Sequence, residues 1–347
     1  MKTFDEIFTD KTKYGVKVQT SEYSKQGKYI IIDQGQSQIA GYTDREEGVF
    51  EELPVIVFGD HTRTIKYVDK PFFLGADGVK VLRSNDSNAN YKYLYYALKS
   101  AKIPDTGYNR HFKWLKKIQI NYPDNNRQEE IVQILDKVSD VIKNRETELS
   151  ALDDLIKARF VEMFGNPVSN EMCWEQAPLS SCIESIENGK SFVCNSVNRE
   201  GDWPAVLKLS AVTYGFYCPE ENKAVLDKNQ FIEGAAVRDG DLLFTRKNTP
   251  ELVGMCAYVY DTPSKLMMPD LIFRLNINQR CNKIFLWKLI NHDLFRDCIQ
   301  AIATGSAKSM SNISKERLLG LKIILPPIEL QEQFATFVTQ TDKSKVT

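Results

Sequence analysis

The stretch that most limits what this chain can become is residues 127–164, RQEEIVQILDKVSDVIKNRETELSALDDLIKARFVEMF, which holds neither proline nor glycine. Its apolar residues Ile131, Leu135, Val138, Ile142, Leu149, Leu152, Ile156 and Met163 recur mostly in steps of three and four, with Arg145 interrupting the seam once. That spacing keeps one apolar face along a single helix, so a long helix is expected here. At about 1.5 Å per residue it would reach roughly 57 Å, more than an ordinary core helix needs and suited to a spacer between two bodies. A packed helix inside one large domain is the alternative. Gly165 and Pro167 supply the stop signal. An apolar seam needs a covering partner, which directs attention to a second copy.

A second copy is present. INYPDNNRQEEI (120–131) aligns with IILPPIELQEQF (323–334) without a gap, pairing Pro123 with Pro326, Gln128 with Gln331 and Glu129 with Glu332. Upstream, Thr106-Gly107 matches Thr304-Gly305, VIVFGDHT (55–62) lies over LLFTRKNT (242–249), and GADGVKVL lies over MMPDLIFRL. Strands are expected at 28–33, 54–59 and 78–82 with a helix at 90–100, then at 205–209, 241–245 and 269–275 with helical 282–302. The segment 328–347 again has helical spacing through Phe334, Phe337 and Val338. A duplicated scaffold with divergent loops suits an asymmetric two-site reader; duplication without function is the alternative.

Composition narrows the class. The chain has 347 residues, 42% hydrophobic and 26% charged, enough for two cores in a soluble protein. No apolar run has the length of a membrane span or a signal-peptide core, so a cytoplasmic location is expected. The seven cysteines (Cys173, Cys182, Cys194, Cys218, Cys256, Cys281 and Cys298) show no CxxC spacing and are expected as core thiols. Trp114, Trp174, Trp203 and Trp287 are likewise assigned to cores. The net charge of −1 does not advertise nucleic-acid binding, although acidic charge gathers on residues 126–170, with 6 Lys+Arg against 9 Asp+Glu. No phosphate-binding loop, amino-methyltransferase NPPY or nuclease pattern is found. With only His61, His111 and His292 available, no metal site and no catalytic residue is expected.

Several motifs carry a family resemblance: the TG-containing loop, a strand ending in LPP followed by a Gln-Glu-type helix start (LPPIELQEQ, with YPDNNRQEE as counterpart), the long helix closing on RFVEMFGNP, and the twofold repetition. IIDQGQSQIAGYTDREEG, PVIVFGDHTR and FFLGADGVKVL also resemble one class of target recognition domain. Over essentially its whole length the chain resembles the DNA-specificity subunit of type I restriction-modification enzymes.

The resemblance implies an α+β fold. Two mixed α/β target recognition domains in tandem pseudo-repeat, 1–125 and 168–327, would be separated by a long coiled-coil helix, 126–167. A second, shortened helix at 328–347 would pack antiparallel on it. Each domain would read one half of a bipartite, asymmetric site on double-stranded DNA, and the helices would set half-site spacing. Two methylation subunits would dock on the helices, with restriction and motor subunits joining them. S-adenosylmethionine and ATP would belong to those partners, leaving this chain without cofactor or catalysis.

The departure from the pattern is the second helical segment, 20 residues against 38 in the first. The expected consequence is an uncovered seam beyond Ile142, leaving Leu149, Leu152 and Ile156 bare and favouring self-association. The competing reading is a shortened or orphan specificity-like scaffold that binds methylation subunits and has little DNA binding alone.

DNA recognition needs cations and amides for phosphates and polar side chains for base edges. Matching loops supply them: Gln34 and Gln36 on a glycine turn; His61, Thr62 and Arg63 after a strand; and Tyr108, Asn109, Arg110 and His111 in the first glycine loop. In the second half Arg246, Lys247 and Asn248 follow a strand, and Ser306, Lys308, Ser309 and Asn312 occupy the other glycine loop. The expected helix interface is Ile131, Leu135, Val138, Ile142, Leu149, Leu152 and Ile156 with Phe334 and Val338.

Overall fold

The apolar periodicity of residues 127–164 becomes one continuous helix, Asn125–Phe164, in a computed structural model that describes residues 1–75, 77–305 and 310–345. The chain forms two compact units, Met1–Arg145 and Glu146–Thr347. The division falls within the long helix, at the residue that interrupts its seam. The segment 126–167 therefore contributes to both cores.

In the first unit a four-stranded antiparallel sheet has the order Phe8–Asp10, Val79–Ser84, Val55–Gly59, Ile65–Val68. A three-stranded sheet places Tyr29–Ile32 between antiparallel Gly41–Thr43 and parallel Phe72–Leu74. Every residue of Val55–Gly59 is buried because the strand is central and covered on both faces. Strand alternation sends Ile56 and Phe58 into the core beneath the Tyr91–Lys99 helix and Val55 and Val57 into the opposite core.

The second unit repeats this plan. Its four strands run Ile183–Asn188, Ile272–Ile277, Leu242–Thr245, Cys256–Tyr258, again antiparallel throughout. Ala205–Leu207 lies between antiparallel Asn222–Ala224 and parallel Leu266–Met267. Leu242 and Phe244 face one core while Leu243 faces the other. In each unit an Asn caps the helix after the sheet: the Asn90 carboxamide accepts from Tyr93 N at 3.0 Å, and that of Asn282 from Ile284 N at 2.9 Å. The expected helix 282–302 is broken, into Lys283–Asn291 and Arg296–Ala301. Between them His292 turns to an extended conformation, and its ring Nδ1 accepts from Leu294 N at 3.3 Å to start a 3-10 turn.

The shared Pro and Gln of the repeat have a physical role. Gln128 and Gln331 are both fully buried, and each donates its carboxamide N–H back to a proline carbonyl five residues earlier: Pro123 O at 2.8 Å and Pro326 O at 2.7 Å. A proline carbonyl at a buried helix start would otherwise lack a donor. In the second unit the Gln331 carbonyl also accepts from Asn282 N at 2.9 Å.

The C-terminal helix, Ile328–Ser344, runs antiparallel to the second half of the long helix. Phe334 meets Phe160 and Phe164, each at 5.5 Å between ring centroids, and farther along Lys345 reaches back to Asp153 at 2.5 Å. This reverses the expected uncovered half. Ile156 is 3% exposed, and Leu149 and Leu152 are half-buried, whereas Val138 and Ile142 are 50% and 54% exposed, beside bare Ile134 and Val141. An antiparallel helix that enters at the far end of its partner covers that end first; expecting the near half to be covered aligned the two helix starts as if they were parallel. Ile131 and Leu135 are half-buried, the former against the first unit's core next to Val132. Phe334 and Val338 are fully buried in the second unit's core.

Two other expectations change. Trp203 is 40% exposed, with its indole N–H donating to Val225 O at 2.8 Å, so it is a surface clip and not a core residue. Trp287 is buried; Trp114 and Trp174 are half-buried. Cys182, Cys256 and Cys281 are buried thiols, while Cys173 is exposed. Among the described residues no helix is long and apolar enough to cross a membrane.

Candidate functional site

In the first unit three loops distant in sequence meet at one end of the four-stranded sheet. The turn between Val55–Gly59 and Ile65–Val68 carries His61, Thr62 and Arg63; its closure bonds are Gly59 N to Thr64 O at 2.8 Å and Arg63 N to Gly59 O at 2.7 Å. Gln34 joins it from the neighbouring strand end. His61 N donates to the Gln34 side-chain carbonyl at 3.3 Å, and the Thr62 hydroxyl donates to Gln34 O at 2.6 Å. Arg63 stands at φ 61°, a left-handed conformation unfavourable for a residue with a Cβ. An ion pair with Asp105 at 2.7 Å ties it to the third loop. There the Gly107 N–H, and next the Arg63 guanidinium, hold the Asp105 carboxyl below the usual carboxylate range.

The glycine loop presents its nominated residues unequally. Tyr108 is 87% exposed and lies flat on His61, with ring centroids 4.7 Å apart and 10° between planes. Asn109 and Arg110 are exposed; Lys17 first, and Arg110 after it, hold the Asp77 carboxyl low. His111 is fully buried, with Nδ1 3.0 Å from Asp60 O and Nε2 3.3 Å from the Thr106 hydroxyl. A ring enclosed on both nitrogens is a brace for the loop, which corrects its nomination as a DNA contact. Gln36, exposed, lines a cavity of about 450 Å3 with Thr62, Arg63 and Lys66. Lys66 is 2% exposed, donates to Ser37 O at 2.6 Å, and burial lowers its pKa against the opposing pull of Asp33. Lys66, Asp60 and Asp105 escaped the sequence reading. The one available signal was Lys66 at an inward position of the alternating IKYV strand.

The second unit builds the matching edge differently. Lys247–Asn248 pairs antiparallel with Ser311–Asn312, which brings Arg246, Lys247, Asn248 and Asn312 together. The Arg246 guanidinium donates to the Asn312 carboxamide at 3.3 Å and stands 5.1 Å from the Phe273 ring centroid. Asn248 donates to the Thr213 hydroxyl at 2.9 Å, a partner that nothing in the sequence marks. Ser306, Lys308 and Ser309 lie outside the described residues. One backbone bond is common to both edges: His111 N to Asp60 O and Ile313 N to Arg246 O, each 2.8 Å. Thus the two units share the loop junction and differ in the side chains set on it.

A cavity of about 750 Å3 in the second unit, lined by Ile156, Phe160, Tyr214, Phe216, Trp287 and Lys288 among others, contains none of the nominated loop residues. Burial pushes the Lys288 pKa down to about 8, against the pull of Asp342 at 3.9 Å. Between pH 8 and 10.5 the unfolded chain holds a proton on this amine that the folded chain has released, so Lys288's own contribution to stability rises with pH across this window, while the Cys256 thiol and the Tyr260 phenol, both pushed up by burial, contribute with the opposite sign. Lys288→Met is expected to abolish that rise, on the order of 3 kcal/mol, in urea-denaturation midpoints collected from pH 7.5 to 10.5. An unchanged pH profile would place the proton elsewhere. Among the described residues no group of three or more His, Cys, Asp or Glu could hold a metal ion.

Residues 1–153 match the family model of the type I restriction modification DNA specificity domain. The chain is 33% identical over 161 residues to the type I restriction enzyme EcoEI specificity subunit of Escherichia coli, an alignment covering 46% of this chain and 27% of that protein. It is 32% identical over 152 residues to the EcoR124I/EcoR124II specificity subunit of Escherichia coli, covering 40% of this chain and 37% of the other. The matched stretches therefore span well under half of these relatives. The fold resembles the crystal structure of a type I restriction-modification system S subunit from M. genitalium, with TM-score 0.58, 16% identity, and coverage of 99% of this chain and 89% of that one. At that identity the likeness speaks to fold alone.

Proposed function

We propose, from the match of residues 1–153 to the family model of the type I restriction modification DNA specificity domain, that the protein is the sequence-reading subunit of a type I restriction-modification complex. Each unit reads one half of a bipartite double-stranded DNA site. The observation that carries this reading is the pair of matching loop edges. Sheets of the same order and the same backbone bond support Gln34, His61, Arg63, Tyr108 and Arg110 on one edge, and Arg246, Lys247, Asn248 and Asn312 on the other. These are the residue types that anchor phosphates and read base edges. Exchanging side chains on a kept scaffold is what reading two different half-sequences requires.

The long helix sets the half-site spacing and, with the C-terminal helix, docks two methylation subunits; the restriction and motor subunits join through them. The bare stripe Ile134, Val138, Val141 and Ile142 supports a protein partner on the first half of the helix. S-adenosylmethionine and ATP act on the partner subunits, and this chain contributes recognition without catalysis in the cytoplasm.

The test is to express the chain with its methylation subunits and map adenine methylation across a genome by long-read sequencing. A split motif is expected. Arg110→Ala should relax one half of it and Arg246→Ala the other, each with a loss in binding of about 1–3 kcal/mol. Loss of both halves together in either variant, or methylation without a split motif, would refute two independent readers. A scaffold without DNA affinity of its own would leave the motif unchanged in both variants.

A further inference from the structure

Tyr108 is held in a way that a solvated surface tyrosine does not need. Gly107, at φ 73° where any Cβ would be strained, turns the chain, and its N–H donates to the Asp105 carboxylate at 3.0 Å. Asn109 N donates to Gly107 O at 2.8 Å, and the Asn109 side chain donates to Thr106 O. Asp105 is pinned by Arg63, and Thr106 by the buried His111. Beneath the ring, the His61 backbone N–H donates to the Gln34 side-chain carbonyl at 3.3 Å. One face of Tyr108 therefore rests on an imidazole at 4.7 Å, and the rest of an 87% exposed ring projects from the tip of the loop. Positioning a ring before binding removes the ordering cost that a mobile side chain would incur on contact.

We propose that Tyr108 stacks its open face on a nucleobase parted from its neighbour, so that the first unit reads its half-site partly by how easily one base step opens. This rests on the DNA-recognition reading above and specifies its mode in that unit. Aromatic platforms bind base faces without regard to hydrogen-bonding edges, and wedges between bases draw on sequence-dependent unstacking. Pyrimidine–purine steps open most readily, so preference at this position comes from deformability instead of edge contacts. The corresponding loop of the second half carries Ser306, Ala307, Lys308 and Ser309, with no aromatic residue. The effect is therefore confined to one half-site.

The experiment uses the full chain with its methylation subunits and duplexes carrying the mapped motif, with a stable abasic nucleotide walked through both half-sites. In the half relaxed by Arg110→Ala, one position is expected at which the abasic nucleotide strengthens binding about tenfold, because the cost of unstacking is already met. Tyr108→Ala should bind intact DNA about tenfold more weakly and lose that preference. Tyr108→Phe should keep both, which a hydrogen-bonding role for the hydroxyl would not permit. Weaker binding at every abasic position, or undiminished affinity of Tyr108→Ala, overturns the stacking role while leaving DNA recognition standing. A complex that binds no DNA at all overturns both.

Discussion

Phe160→Ala is expected to destabilise the second unit by about 3–5 kcal/mol, the usual cost of emptying an aromatic site in a core that cannot collapse around it. Phe160 is fully buried where the long helix, the Lys283–Asn291 helix and the C-terminal helix meet. Its ring lies 5.1 Å from Phe164, 5.8 Å from Phe285, 5.5 Å from Phe334 and 4.9 Å from His292. No single neighbour can move in without abandoning another of these contacts. Guanidinium unfolding followed by tryptophan fluorescence would report the loss, with Val161→Ala, on the exposed side of the same turn, shifting stability by less than about 0.5 kcal/mol. A cost below about 1 kcal/mol for Phe160→Ala would mean that the three helices are not held through this ring.

Arg274→Met is expected to cost about 3–5 kcal/mol for a different reason, because it strands a buried charge. Arg274 is 3% exposed and sits 2.6 Å from the Glu187 carboxylate and 2.9 Å from that of Asp241, while its second Nη donates to Ala236 O. Asp241 is itself 7% exposed, and burial raises its carboxyl pKa despite the arginine. Without the cation, Asp241 must take up a proton or bear the desolvation penalty alone. The loss should shrink as pH falls, since protonation removes the stranded charge. Combining Asp241→Asn with Arg274→Met should recover much of it. An equal loss at pH 5 and pH 8 would assign the effect to packing.

The elements most legible in sequence were those specified by near neighbours. The helix Asn125–Phe164 follows from side chains three and four apart, and the repeat marks its start at the shared proline and Gln-Glu pair. The strand Val55–Gly59 and the helix Tyr91–Lys99 were likewise readable, because strand and helix signals act over a few residues. The nominated loops were legible as sets through the repeat. Their individual members were not: His111 and Tyr108 stand three residues apart in one loop, yet one is fully buried and the other 87% exposed. Asp60 decides that difference. It lies 51 residues from His111 and accepts both its amide and its ring at Asp60 O.

By itself the amino-acid sequence determined a duplicated scaffold, a long helix and the shared Pro and Gln at the start of each repeat helix, because these are written in periodicity and in residue spacing over a short stretch. Only the tertiary structure decided which half of the long helix is covered. Direction is a property of where the C-terminal helix enters, and apolar spacing reads the same from either end. It likewise decided which loop cations are tied down, as Arg63 is by Asp105 and Arg246 by Asn312, since those partners are 42 and 66 residues away. Charge type is written locally, whereas its availability to a ligand depends on what the fold brings beside it.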